Sequence, residues 1–189
     1  MRKARVAILT GGSFAEHESS ILSGEAVKRA LAETRYETIP VLIKRDGEWS
    51  VSPSELKEAA DLVFIAMHGK YGEDGTVQDI LGQANIPHTG SGALTSALAI
   101  NKALTGRLFR TLGFHTPRFM ALEKSDSGSF ELDFDFPVIV KPVNRGLSLG
   151  VNLVRDPDEL NSALEKAFEF SKSILVEEYI AGRELSVSI

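Results

Sequence analysis

The sequence predicts an α/β protein: a doubly wound, mostly parallel sheet over residues 1–92, then an α+β unit over residues 93–189. Three observations carry this expectation. Short apolar runs alternate with helix-length segments as far as residue 89. Glycine-rich loops follow the first and third of those runs, where an open parallel sheet keeps its ligands. After Gly90-Ser91-Gly92 the pattern changes to short strands and a glycine hairpin loop.

Residues 6–10 (VAILT) are an apolar run closed by Gly11-Gly12, the pattern of a buried parallel strand. Ser19 and Ser20 offer an N-cap, and Leu22, Ala26, Val27, Ala30 and Leu31 follow at helical spacing. Residues 36–43 read as the next strand, and Asp46-Gly47 as a turn. Ser52-Pro53-Ser54-Glu55 signals a helix start, with a cap, Pro at the first helical position and Glu three after the cap. Residues 62–67 (LVFIAM) are the most apolar strand, and a polar loop, 68–75, follows. A helix is expected over 76–84 and a short strand over 86–89.

The second part begins with one or two helices over residues 93–112, interrupted near Asn101. A strand over 119–122 precedes a polar segment, 123–135, whose Ser-Asp-Ser-Gly-Ser run predicts a mobile loop. Strands are expected over 138–143 and 151–154, around a loop containing Gly146 and Gly150. Asp156 caps a helix whose stripe is Leu160, Ala163, Leu164, Ala167 and Phe168. A strand over 174–176, a turn at Ala181-Gly182 and a last strand over 185–189 complete the chain.

Composition narrows the function. With 43% hydrophobic and 25% charged residues, the 189-residue chain is not a disordered one. The 21 basic against 26 acidic residues, net -5, disfavour a nucleic-acid partner. Cysteine is absent, which excludes disulfides, a thiolate zinc site and a cysteine nucleophile. The N-terminus does not read as a signal peptide, and no apolar stretch reaches membrane-spanning length. The expectation is a soluble, cytoplasmic protein with no membrane partner.

Four stretches could carry chemistry. In the loop at residues 10–20, Glu16 could bind an ammonium, or it and Glu18 could simply favour the positive end of the helix. The spacing is not a dinucleotide fingerprint, and the second strand ends at Lys44 rather than an acid. In the loop at 68–75, His68 could orient a carboxylate or move a proton, or be a loop histidine bonded to backbone. The strand ending at Lys141 and the loop from Gly146 to Gly150 could cradle phosphate, or form an ordinary hairpin with a solvated lysine. The acidic stretch at 177–184 could accept from an adenine amino group and ribose hydroxyls, or be solvated.

These stretches occur in the order seen in one family. GGSFAEHESS, HGKYGEDGT, TGSG, SALAINKALT, PVIVKP and VEEYIAGRE resemble the D-alanine–D-alanine ligases of the ATP-grasp superfamily, across essentially the whole chain. The resemblance implies a Rossmann-like pre-ATP-grasp domain over 1–92. An incomplete ATP-grasp domain follows: linker helices and small subdomain over 93–181, and the first strand of the large subdomain over 182–189. It implies ATP-dependent ligation of two D-alanines through an acyl phosphate, for peptidoglycan precursors. Glu16 would hold the ammonium of the first D-alanine, with His68 near its carboxylate and Ser20 supporting the pocket. Lys102 and Lys141 would contact ATP phosphates, beside Gly146 of the glycine loop. Glu177, Tyr179 and Ile180 would line the adenine slot, and Glu184 would hold the ribose.

Two departures stand out. The family's glycine loop usually reads like G-S-S-x-G, but here Leu147 stands in place of the first serine, before Ser148. That puts the support of the substrate loop in question. The chain is also expected to be cut short at its C-terminus, with the ligands for Mg2+ or Mn2+ downstream of Ile189 and none within it. Residues 1–189 alone are therefore expected to make no dipeptide, although the first domain should fold. Family members are commonly homodimers. A D-alanyl-D-lactate type of ligase, or a non-catalytic binding or assembly module, are the alternatives.

Overall fold

The structure, a computed structural model, describes residues 2–126 and 130–187. The centre of the expected mobile loop, 127–129, and the end of the expected last strand, 188–189, lie outside the described residues. The chain divides into two compact units, Met1–Ile100 and Asn101–Ile189.

The first unit is built on a parallel sheet. β1 (Ala4–Gly11) runs between β2 (Tyr36–Ile43) and β3 (Leu62–Ile65), in the order β2-β1-β3. The register pairs Ala4 with Tyr36 on one side and Val6 with Leu62 on the other. Because β1 is central, Val6, Ala7, Ile8 and Leu9 are all buried, although they point alternately to two faces. From β1 the chain moves to one side through α1 (His17–Leu31), then crosses back through α2 (Pro53–Ala59). Right-handed crossovers of opposite sense place these helices on opposite faces. Leu56 of α2 joins Ala7, Leu9, Val41 and Val63 in one core, with Val77 and Leu81 of α3 (Thr76–Gln83). On the other face Gly24 of α1 touches β1: a Cβ there would lie 2.1 Å from Thr10 Cγ2. The capping box of α2 forms, with Ser52 Oγ accepting from Glu55 N–H and the Glu55 carboxylate from Ser52 N–H.

Three local readings differ from the structure. α1 starts at His17, not after Ser19 or Ser20, because those hydroxyls donate back to the Glu16 carbonyl at 2.8 and 2.9 Å. The expected strand at 86–89 is a single parallel bridge, His88 to Val63. Its ladder ends because Ile65 N–H bonds the Thr89 hydroxyl rather than a carbonyl. Asp156 makes no side-chain cap; its carbonyl accepts from Glu159 N–H, and Glu159 reaches back to Arg155 N–H. The helical stretch after residue 92 does break at Asn101. It gives α4 (Ala93–Ile100) and α5 (Lys102–Thr111), with Asn101 Oδ1 capping Leu104 N–H.

The second unit is an antiparallel sheet in the order β4-β7-β5-β6. Its strands are β4 (Phe119–Glu123), β5 (Val138–Pro142), β6 (Asn152–Val154) and β7 (Ser173–Glu178). Alternation sorts its two faces. Val138, Val140, Ile174 and Val176 pack on Ala163, Leu164 and Ala167 of α6 (Pro157–Phe168). The opposite face carries Lys141, Leu175 and Glu177, and there Ala103 of α5 meets Leu175 and Val143. The expected last strand is not seen over residues 183–187, where Leu185 and Val187 are exposed. An extended segment becomes a strand only beside a partner, and none pairs with it among the described residues. No helix of the described residues is long and apolar enough to cross a membrane.

Candidate functional site

In a doubly wound sheet, ligands bind beyond the carboxyl ends of the strands where the chain departs to opposite sides. In the first unit that point lies between β1 and β3. The loops that follow them, 12–16 and 66–75, hold the chemistry.

Glu16 occupies the N-cap position of α1 but makes no capping bond. Its residue is only 4% exposed, and neither carboxylate oxygen has a hydrogen-bond partner. A buried carboxylate without donors is costly and rare, and it marks a place where a ligand can supply them. Gly69 packs directly on this carboxylate. Its φ is 65°, and a Cβ would lie 2.5 Å from both Cδ and Oε1 of Glu16. Only glycine allows that approach in that conformation.

Ser20 joins the two loops. Its hydroxyl donates to the Glu16 carbonyl and accepts from His68 N–H at 3.1 Å. One turn further along α1, Ser23 Oγ lies 2.7 Å from Nε2 of His68. Glu73 accepts from Gly69 N–H at 2.7 Å, and its other oxygen is 3.9 Å from His68 Nδ1. Lys70 sits over the Phe14 ring at 4.5 Å, a second tie between the loops. Tyr71 holds a φ of 75° and accepts from the Trp49 indole. Burial opposes ionisation of Asp74, but hydrogen bonds from the Tyr71 and Thr76 backbone and the Thr76 hydroxyl, helped by the Lys70 charge, hold its carboxyl below the usual range. Ser23, Gly69 and Glu73 were not singled out from sequence. The helical spacing of Ser20 and Ser23, three residues apart on one face, is the signal that could have found the first of them.

The second unit gathers the two lysines. Lys141 and Glu177 sit diagonally on one face of β5 and β7, where Ile139 pairs with Glu177, and they form an ion pair. Lys102 opens α5, with its N–H on the Val143 carbonyl and Nζ 2.5 Å from the Arg145 carbonyl. Burial pushes Lys102 below the ordinary lysine value, the Lys141 charge adds to this, and Glu177 partly offsets it. In the β5–β6 loop Leu147 and Ser148 both adopt left-handed φ, at 52° and 57°. The Gly146 carbonyl accepts from Leu149 N–H across them, as in a type I′ turn. Leu147 is exposed. Tyr179 and Ile180 stand exposed just past β7, and Glu184 is exposed in the irregular segment after them. Among the described residues, no three His, Asp or Glu side chains converge as metal ligands.

The two halves of one family description account for most of the chain. "D-ala D-ala ligase N-terminus" matches residues 5–59 and 50–91, and "D-ala D-ala ligase C-terminus" matches 108–189. The chain belongs to the D-alanine–D-alanine ligase family. The D-alanine–D-alanine ligase of Geobacter sulfurreducens is 40% identical over 190 residues, covering 100% of this chain and 59% of the relative. The chain thus spans about three fifths of that ligase's length. Among solved ligases, the D-Ala:D-Ser ligase VanG of Enterococcus faecalis superposes with a TM-score of 0.81 at 30% identity, covering 95% of this chain and 64% of that one. The D-alanine–D-alanine ligase of Bacillus anthracis, complexed with ATP, gives 0.75 at 34%, covering 95% and 60%. The likeness carries the α/β fold described above, a parallel sheet followed by an antiparallel one.

Proposed function

We propose that this chain supplies the first amino-acid pocket and a phosphate-holding surface of an ATP-dependent D-alanine–D-alanine ligase. The observation that carries the reading is the buried Glu16 carboxylate, unpartnered at the point where the sheet's connections part. An α-amino acid brings an ammonium with three donors, the group such a carboxylate lacks. Glu16 then holds the ammonium of the first D-alanine, Ser20 fixes both loops, and His68 lies near the substrate carboxylate.

In the second unit Lys102 and Lys141 hold ATP phosphates beside Gly146, and Ser148 supports the substrate loop. Phosphoryl transfer asks of a protein mainly positioning and charge. Phosphate must compete with Glu177 for Lys141 and with the Arg145 carbonyl for Lys102. Tyr179 and Ile180 line the adenine, and Glu184 holds the ribose. In the reaction the D-alanine carboxylate takes the γ-phosphoryl group, and the amine of the second substrate then displaces phosphate. Mg2+ or Mn2+ belongs to such chemistry, but the described residues do not form a set of ligands for it. The reading includes a cytoplasmic homodimer serving peptidoglycan synthesis.

The second substrate is D-alanine on this reading. The likeness to a D-Ala:D-Ser ligase makes D-serine, with D-lactate, the comparison to run. The test is phosphate release, with ATP, magnesium and D-alanine, by a full-length ligase that carries these residues. Glu16→Gln should lose a charge-assisted bond of roughly 1.5–3 kcal/mol, about one to two decades in kcat/KM for D-alanine. ATP affinity should hardly change. An unaltered D-alanine response would remove Glu16 from the site.

A further inference from the structure

We infer that the Glu73 carboxylate selects the Nδ1–H tautomer of His68, with Ser23 as the positioning residue that holds the ring beside it. Both nitrogens of this ring have a neighbour: Nε2 faces the Ser23 hydroxyl at 2.7 Å, and Nδ1 faces the Glu73 carboxylate at 3.9 Å. Glu73 cannot turn freely, because its other oxygen accepts from Gly69 N–H. The carboxylate can only accept. A lone pair on Nδ1 would face that negative charge, whereas an N–H there is attracted to it. The hydroxyl can either donate or accept, so it adapts: Ser23 O–H donates to the unprotonated Nε2. The arrangement is self-consistent in one direction only.

The backbone holds the ring where this matters. His68 N–H is engaged by Ser20 Oγ, from the same face of α1 as Ser23. One helix therefore fixes the residue at two points, backbone and ring. The consequence is that the ring, when neutral, presents a donor on its Nδ1 edge, beside Gly69. A substrate carboxyl or carbonyl oxygen, which only accepts, needs a donor there. A free imidazole in water favours the other tautomer, so without Glu73 the donor would often be a lone pair. The use of this donor on an amino acid rests on the function proposed above; the tautomer lock does not.

The experiment is 15N NMR of histidine-labelled protein, whose four histidines give few signals, with His68→Gln to assign the resonance. Wild-type neutral His68 should be Nδ1–H. In Glu73→Gln the tautomer ratio should move toward Nε2–H, because the charge that disfavours a lone pair on Nδ1 is gone. Ser23→Ala, which removes a group able to serve either tautomer, should shift it less than Glu73→Gln does. A wild-type ring found as Nε2–H, or a ratio that ignores Glu73→Gln, overturns the inference. D-Alanine added to the wild type should move the Nδ1 resonance. If the lock is found and D-alanine moves nothing, the amino-acid reading of the pocket fails while the lock stands.

Discussion

Gly69→Ala tests whether the Glu16 carboxylate is truly pinned against Gly69. The new Cβ would lie 2.5 Å from Glu16 Cδ and Oε1 and 3.0 Å from Cγ. Ordinary contact needs nearly 1 Å more, and Glu16, being buried, has little room to retreat. Overpacking of this kind costs about 1–3 kcal/mol. The left-handed φ of 65° adds roughly 1–2 kcal/mol for any residue with a Cβ. The sum is about 2–5 kcal/mol, which for a unit of this size lowers Tm by on the order of 8 °C or more. The single tryptophan, Trp49, lies in the first unit and reports its melting by fluorescence. Gly90→Ala is the control, since Gly90 has a φ of 84° but nothing within 4 Å of its Cβ. It isolates the backbone cost, so the difference between the two variants measures the push on Glu16. Equal melting of the two would refute the argument, because the carboxylate would then not be held against Gly69.

Three further outcomes are expected. Asp61, held well below the usual carboxylate range by hydrogen bonds from the Arg5 backbone and side chain and from Arg2, stabilises the fold in its ionised form. Its folded value is depressed, so the contribution is full above about pH 4, the ordinary value, and is lost as pH falls toward the folded one. Asp61→Asn should therefore lower the urea midpoint at pH 7, with the gap from wild type closing in acid; a gap constant down to pH 2 would contradict this. Leu147→Asn should stabilise the second unit by up to about 1 kcal/mol, since asparagine tolerates left-handed φ and Leu147 is exposed. A lower denaturant midpoint would mean that Leu147 packs against something. Lys141→Met should raise the Lys102 pKa by removing a like charge, and Glu177→Gln should lower it; NMR titration of the lysine side chain reads both, and movement in the opposite directions would break the proposed coupling.

The parallel sheet of the first unit was legible because its signals are local. The apolar run at 62–65, the Ser52–Glu55 capping box and the glycines after β1 each act within a few residues. The break at Asn101 was legible for the same reason, since its side chain caps a helix three residues on. Glu16, Ser20 and His68 came together only through the resemblance to the ligase family; read singly, each kept an ordinary structural alternative. Reading failed where a local signal had two possible partners. Ser19 and Ser20 could cap or bond backwards, and the choice depended on where α1 meets β1.

What the chain alone determines about this protein is its periodicity, its turn chemistry and the family its motifs belong to. Those follow from bonded geometry and side-chain type over short stretches. The tertiary structure decided the strand order β4-β7-β5-β6, the ion pair of Lys141 with Glu177 and the burial that leaves Glu16 without a donor. Each of these depends on residues tens of positions apart. Whether a carboxylate is a solvated charge or a waiting ligand site is set by what the fold removes from around it, water above all, and no stretch of sequence contains that information.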